Sequence, residues 1–198
     1  MTASTIGIGL MAKPPRPGIA KTRLAATIGR QAAADLARGL LSDAVETLAE
    51  AATRTPLACS VFYRPAEAAS DIASLIGRGW PLVPPGILTD AAAILRRGGA
   101  REVVVMPTAD GGYGLIGVTS NAAAPLFARM DWNTPVVLTE TLRRAQGHGL
   151  TVHCLPEQHD IDDADDLPWL RDALATSPEA APATRAALAR LDGIARDG

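Results

Sequence analysis

The sequence predicts an α/β fold in which helices cover both faces of a mostly parallel sheet, as a three-layer αβα sandwich. Two observations lead to this prediction. Apolar runs too short for helices alternate with longer segments whose apolar residues recur at three- to four-residue spacing. The chain has 198 residues, a length that suits one α/β domain with a proper core and leaves no room for two large ones.

Five short apolar runs are the predicted strands. They lie at residues 5–11, 57–63, 102–106, 113–118 and 150–155. In sheets of this type, ligands bind where the carboxyl ends of the strands meet. The loops that follow the strands are therefore the first places to look for a functional site.

The predicted helices occupy the segments between the strands. Apolar spacing from Leu36 to Leu48 predicts a long helix over residues 30–52. Further helices are predicted over residues 87–97, 121–130, 135–147, 164–175 and 183–195, whereas residues 66–77 fit either a helix or a short strand. We expect residues 1–176 to form the domain and residues 177–198 a C-terminal helical tail.

Composition excludes several classes of function. The formal net charge is −2 and 47% of the residues are hydrophobic, which argues against a basic nucleic-acid-binding face and against a disordered acidic chain. No apolar stretch approaches the ~20 residues of a membrane span. The N-terminus lacks the basic region of a signal peptide, so a cytoplasmic protein is expected. Cys59 and Cys154 lie far apart in apolar runs and are expected to be buried thiols.

A basic, proline-rich loop follows the first strand. Lys13 and Lys21 are the only lysines among 19 basic residues, and both fall in this loop with Arg23 and Gly18. Compact ammonium groups suit phosphate oxygens, so a polyphosphate site is one interpretation. The alternative is a basic surface loop stiffened by prolines. The loop itself contains neither a GxxxxGK[ST] nor a GxGxxG motif.

An acidic segment follows the last strand, with five aspartates between Asp160 and Asp166. A helix cap with an acidic first turn explains Asp163, Asp165 and Asp166. It explains Asp160 and Asp162 less well, and a site for Mg²⁺ or Mn²⁺ is the sharper hypothesis, because these hard cations prefer oxygen ligands.

The third segment of interest is Asp110-Gly111-Gly112-Tyr113, between two predicted strands. A hairpin turn accounts for Asp-Gly. The functional alternative is that the glycines admit a ligand to the backbone while Asp110 accepts hydrogen bonds from hydroxyl groups. Trp132 is either a core residue or a platform on which a ring could stack.

These segments together resemble a known family. LMAKPPRPGIAKTRLA, DGGYGLIGV, DWNTPVVLTETL and DIDDADDL are similar to sequences of the small bacterial GT-A-type glycosyltransferases, some of them associated with arsenosugar biosynthesis. The resemblance covers most of residues 5–170 and implies a nucleotide-diphospho-sugar transferase fold, a nucleotide-sugar donor or nucleoside triphosphate, a small-molecule acceptor and a divalent metal. A more distant likeness is to 2-phospho-L-lactate guanylyltransferase.

The resemblance also implies roles for individual residues. Lys13, Gly18, Lys21 and Arg23 correspond to a donor phosphate site. Asp162, with Asp160 beside it, corresponds to a metal site. In this interpretation Asp110 is the catalytic residue, and Gly111, Gly112 and Trp132 face the sugar or the acceptor.

The sequence departs from the family pattern in its middle. The family's G-[ST]-D-x-P motif appears here as Gly77-Arg78-Gly79-Trp80-Pro81, with glycine in place of the metal-binding aspartate. A helix motif before it is absent, so one central strand is expected to be missing or displaced. Three functions stay open: a glycosyltransferase, a non-catalytic nucleotide-binding remnant and a nucleotidyltransferase.

Overall fold

The structure, a computed structural model, divides into two compact units that are treated separately below. Unit 1 comprises Met1–Pro85 and Ile161–Gly198, and unit 2 comprises Gly86–Asp160. The residues that the structure describes are 6–55, 57–63, 66–76, 95, 101–118, 125–132 and 134–197.

The elements alternate between strands and helices along the chain. In order they are β1 (Ile6–Ala12), α1 (Thr22–Ile28), α2 (Arg30–Arg54), β2 (Leu57–Tyr63), α3 (Ala69–Ile76), β3 (Glu102–Pro107), β4 (Tyr113–Val118), α4 (Val137–Gly147), β5 (Thr151–Cys154), α5 (Asp166–Ala175) and α6 (Pro182–Asp197). None of the helices in these described stretches is long and apolar enough to cross a membrane.

Unit 1 is built on a parallel pair of strands. β1 and β2 are in register from Ile6 opposite Leu57 to Ala12 opposite Tyr63. The crossover between them contains α1 and α2, as parallel pairing requires. The carboxyl ends of both strands therefore lie side by side, and the loop of residues 13–21 leaves the sheet at that edge.

The core of unit 1 is made by its helices. Leu24 of α1, Leu36 of α2 and Leu170 of α5 are buried in one cluster, which also contains Ile161 and Leu188. Because Leu188 belongs to α6, the C-terminal helix packs into this core. α6 also lies close against α2, where a Cβ on Gly39 would be 2.8 Å from the carbonyl oxygen of Ala183.

Unit 2 contains a three-stranded mixed sheet in the order β4-β3-β5. β3 pairs in parallel with β5 and antiparallel with β4, with a bulge between Met106 and Pro107. Val103, Val104 and Val105 of the central strand are fully buried. The β3–β4 pair confirms the hairpin interpretation of the Asp110-Gly111 turn.

The predicted α/β character is confirmed, with a difference in strand direction. The described strands form a parallel pair and a small mixed sheet, and β4 is antiparallel because the short turn after β3 leaves no room for a crossover. The sequence of residues 66–77 fitted either a helix or a short strand. The described part, residues 66–76, is a 3₁₀ turn followed by α3. The predicted helix over residues 87–97 and the Gly77–Pro81 departure lie outside the described residues, Leu95 aside. The expected burial of both thiols is wrong, because Cys154 is exposed and Cys59 is only half-buried.

Candidate functional site

The loop of residues 13–21 is fixed by contacts within unit 1. Pro14 and Pro15 are buried, and the Arg38 guanidinium of α2 donates a hydrogen bond of 3.3 Å to the Pro15 carbonyl oxygen. The N–H groups of Ile19 and Ala20 donate to the Arg16 carbonyl oxygen. The loop therefore has a defined path from β1 to α1.

Lys21 closes this loop with a left-handed backbone conformation, φ 47° and ψ 52°. This conformation is unusual for a residue with a side chain. The Lys21 carbonyl oxygen accepts the Ala25 N–H at 2.9 Å, and Leu24 anchors α1 in the core. The fold thus sets where the side chains at the start of α1 emerge.

Lys21 and Arg23 converge on one carboxylate, that of Asp162. Lys21 Nζ donates to Asp162 Oδ1 at 2.8 Å, and Arg23 Nη2 donates to Asp162 Oδ2 at 2.5 Å. These residues are about 140 positions apart in sequence. They meet within unit 1 because the chain returns to that unit at Ile161, after β5.

The backbone around Asp162 is held by its neighbours. Asp166 Oδ2 accepts the N–H groups of Asp162 and Asp163 at 2.7 and 2.8 Å, and Asp163 Oδ1 accepts the Asp165 N–H at 3.0 Å. Asp163 and Asp166 thus organise the turn that leads into α5. The acidic first turn is present as Asp166, but the N-cap residue Asp165 makes no side-chain cap hydrogen bond, which differs from the helix-cap interpretation. The Asp162 side chain is left to face the cations.

The site is charged and partly open to solvent. The exposed fractions of the side chains are 22% for Lys21, 66% for Arg23 and 38% for Asp162. Burial, the largest single influence, raises the pKa of Asp162, but hydrogen bonds and charges from Lys21 and then Arg23 outweigh it. The net effect holds the Asp162 pKa below its ordinary value.

This pKa shift predicts a pH-dependent contribution to stability. Because the folded-state pKa of Asp162 is depressed, the stabilisation is present above the unfolded pKa of about 3.9 and is lost as pH falls through the folded value. The pair is partly exposed, so we expect a contribution below about 1 kcal/mol. Urea unfolding of wild type and Asp162→Asn should differ at pH 7 and converge toward pH 3. A difference that grows with acidity would contradict the assignment.

The other two cations of the loop have different environments. Arg16 forms an ion pair with Asp71 of α3, and Lys13 is exposed. Of the four basic residues between positions 13 and 23, the structure therefore brings Lys21 and Arg23 to the same carboxylate.

The predicted metal site does not fit the residues in the described part of the chain. There, no group of three or more His, Cys, Asp or Glu side chains lies close enough to hold a metal ion. Both Asp162 oxygens are paired with cations, and Asp160 lies at the end of unit 2. The requirement for Mg²⁺ or Mn²⁺ remains a prediction.

In unit 2, Asp110 organises its own turn. Its Oδ1 atom accepts hydrogen bonds from Thr108 Oγ1 at 2.7 Å and from the Gly112 N–H at 3.1 Å. Gly111 has φ +86°, a conformation that favours glycine. The Gly111 carbonyl oxygen accepts the Leu138 N–H at 3.0 Å, which joins this turn to the start of α4.

Trp132 lies in the segment that leads to that contact. Its side chain is 52% exposed, and its ring is tilted against Phe127 with the centroids 5.7 Å apart. Val136, on the same segment, is 57% exposed. The prediction that Trp132 is a core residue is therefore wrong. The structure shows an exposed aromatic face in unit 2.

Sequence reasoning missed two residues that position the site. Arg38 holds the loop after β1, and Asp166 holds the backbone of Asp162. Both act on backbone groups inside the two singled-out segments, Arg38 on Pro15 and Asp166 on Asp162. Nothing in the sequence links Arg38 to Pro15, and the helix-cap interpretation of Asp166 does not include its bond to the Asp162 N–H.

The structure is similar to the crystal structure of a "putative nucleotide-diphospho-sugar transferase" from Desulfovibrio desulfuricans G20, with a TM-score of 0.80 and 22% sequence identity over 99% of this chain and 98% of that one. At this identity the likeness concerns the fold. The fold implied by the resemblance in sequence is thereby supported.

The chain belongs to the DUF2064 family, described as "Uncharacterized protein conserved in bacteria", whose model matches residues 20–134. No curated protein matches the sequence at a significant level.

Proposed function

We propose that this protein is a transferase that takes a sugar from a nucleotide-sugar donor and passes it to a hydroxyl group of a small-molecule acceptor. The observation that carries the proposal is the convergence of Lys21 and Arg23 on Asp162. Lys21 ends the loop that follows the carboxyl end of β1, and α/β sheets bind their ligands at the carboxyl ends of strands.

The two cations suit the diphosphate of such a donor. Their carboxylate partner shows that the side chains present hydrogen-bond donors to an oxyanion, and carboxylate and phosphate oxygens accept the same donors. Gly18 gives the loop its bend with φ +81°, and Lys13 supplies a further exposed ammonium group near the loop's start. A nucleoside diphosphate moiety is therefore the ligand class that we assign to unit 1.

In the proposed reaction, the acceptor hydroxyl attacks the anomeric carbon and the bond to the nucleoside diphosphate breaks. Negative charge grows on the departing diphosphate, and Lys21 and Arg23 stabilise it electrostatically. Asp110 would orient the hydroxyl or take its proton. Asp110 Oδ1 already accepts two hydrogen bonds from its own turn, so this role falls to the other oxygen.

Trp132 and the glycines of the Asp110 turn are the proposed contacts for the sugar or acceptor. The exposed indole of Trp132 offers a face for the apolar side of a sugar ring. For Gly111 and Gly112 the assignment rests on the family resemblance, because the backbone of Pro135 fills the space beside Gly111. A requirement for Mg²⁺ or Mn²⁺ remains part of the proposal from the family resemblance alone, because both Asp162 oxygens are paired with cations.

The proposal is tested by ligand binding and by product release. A thermal-shift panel of nucleotides and nucleotide sugars, with and without Mn²⁺, would identify the donor, because a ligand that binds only the folded form raises the melting temperature. Incubation with the donor and a small hydroxylated acceptor should then release nucleoside diphosphate. Release of pyrophosphate from a nucleoside triphosphate would instead indicate a nucleotidyltransferase.

A second candidate is a nucleotide-binding protein without catalysis. The pairing of both Asp162 oxygens with cations favours it, since that carboxylate is then engaged in an internal ion pair. In this case nucleotides would bind equally well with and without Mg²⁺ or Mn²⁺, and no turnover would occur.

Lys21→Ala is expected to weaken nucleoside diphosphate binding about ten- to hundredfold, because it removes a charge-assisted hydrogen bond to phosphate. Isothermal titration would measure the change. Arg54→Ala is the matched control, since Arg54 is an exposed cation of unit 1 at the far end of α2, paired with Glu50. Equal affinities of the two variants for nucleoside diphosphate would contradict the proposed phosphate site. Arg38 is unsuitable as a control because it holds the Pro15 carbonyl.

A further inference from the structure

The Asp162 carboxylate is bound in the way that a phosphate group would be. Each of its oxygens accepts from a different cation, at 2.8 Å from Lys21 Nζ and 2.5 Å from Arg23 Nη2. The donors that the proposed function assigns to a ligand oxyanion are thus the donors that this side chain uses. Lys21 and Arg23 carry further N–H groups, but an anion that takes the hydrogens directed at Asp162 must replace its carboxylate.

The side chain can leave this position without loss of the turn that carries it. The backbone N–H groups of Asp162 and Asp163 are held by Asp166 Oδ2, and Ile161 is buried in the core of unit 1. These contacts do not involve the Asp162 carboxylate. Since Asp162 and Arg23 are 38% and 66% exposed, a ligand can reach the pair from solvent.

We infer that Asp162 is an internal competitor for the phosphate site, so that a ligand must displace its carboxylate from Lys21 and Arg23 to bind. The inference rests on the proposed function and adds to it a residue that lowers affinity. The measured affinity of the site is reduced by the fraction of molecules in which the ion pair is closed.

A competing carboxylate and a metal-binding carboxylate predict different effects on phosphate affinity when Asp162 is substituted. If the carboxylate only competes, its removal tightens binding of a phosphate ligand in the absence of metal. From the usual strength of partly exposed ion pairs, we expect Asp162→Asn to bind inorganic pyrophosphate about three- to tenfold more tightly than wild type. If Asp162 instead helped to hold a metal ion, its removal would leave pyrophosphate binding unchanged or weaken it.

The experiment is isothermal titration of metal-free protein with inorganic pyrophosphate at fixed ionic strength. It compares wild type, Asp162→Asn, Lys21→Ala and the double variant. Asp172→Asn is the matched control, because it removes the same charge from an exposed position of α5 in unit 1. Asp162→Ser is a second variant, and circular dichroism checks that each protein is folded.

Tighter binding in Asp162→Asn or Asp162→Ser, with Asp172→Asn like wild type and no gain in the double variant, would support the inference. Binding in the Asp162 variants that is no tighter than in wild type or in Asp172→Asn would overturn it. If Lys21→Ala still weakens binding in that case, the phosphate site of the proposed function stands alone. If Lys21→Ala binds like wild type, the proposed phosphate site fails and the inference with it.

Discussion

Asp43→Ala is expected to lower the free energy of unfolding of unit 1 by about 2–4 kcal/mol, through the loss of charge-assisted hydrogen bonds at a helix terminus. Asp43 belongs to α2 and is only 3% exposed. Its carboxylate accepts the N–H of Ala183 at 3.0 Å and that of Thr184 at 2.6 Å. These groups lie in the first turn of α6, where backbone N–H groups have no partner inside the helix.

The cost is large because the change leaves buried donors behind. Thr184 is fully buried, so its N–H cannot exchange the lost carboxylate for bulk water, and a buried unsatisfied donor costs about 1–3 kcal/mol. The negative charge also interacts favourably with the N-terminal end of the helix. Both contributions disappear together in the alanine variant.

Two variants make this prediction specific. Asp43→Asn retains one acceptor and should fall between wild type and Asp43→Ala. Asp35→Ala removes an aspartate of the same helix whose side chain bonds Gln31 at an exposed position, and it should change stability little. Urea unfolding followed by circular dichroism measures all three. An Asp43→Ala protein as stable as Asp35→Ala would show that α6 does not depend on this cap.

The contrast between Asp43 and Lys21 shows which contacts a sequence can predict. Lys21 and Asp162 each follow a predicted strand, and the sequence singled out both because α/β sheets bind ligands at the carboxyl ends of their strands. Asp43 has no such signal. It is one aspartate in a long helix, and its partners lie 140 and 141 residues away, so no local spacing could connect them.

The same distinction applies to the elements themselves. The spacing of Leu36, Val45 and Leu48 predicted a helix over 30–52, and α2 runs from Arg30 to Arg54 with those side chains buried. The helix predicted from Pro135 begins at Val137 instead. The reason is tertiary, because Leu138 donates its N–H to the Gly111 carbonyl oxygen and the preceding turn is shaped by that contact.

The contact between the Asp110 turn and the start of α4 makes Gly111 the most sensitive position that we identify in unit 2. Gly111→Ala is expected to destabilise this unit by about 2–5 kcal/mol, the sum of a left-handed conformation for a residue with a side chain and of steric overlap. Gly111 has φ +86°, and an added Cβ would overlap the Pro135 carbonyl oxygen and lie 2.9 Å from its carbonyl carbon.

This overlap cannot be relieved by rotation of a side chain, because Pro135 presents backbone atoms. Either the Asp110 turn or the Pro135 segment must move, and the hydrogen bond from the Leu138 N–H to Gly111 must lengthen or break. Hydrogen exchange at the Leu138 amide should therefore accelerate in Gly111→Ala, beyond any change at the Glu140 amide, which donates to Val136 within the same turn of chain.

Gly147→Ala is the matched control for this prediction. Gly147 ends α4 in the same unit, and a Cβ there would meet nothing within 4 Å. Alanine is the better helix former, so this variant should be as stable as wild type or slightly more so. If Gly111→Ala unfolds at the same urea concentration as Gly147→Ala and keeps its Leu138 amide protected, the turn tolerates a side chain. The close approach of Pro135 would then not explain why glycine occupies position 111.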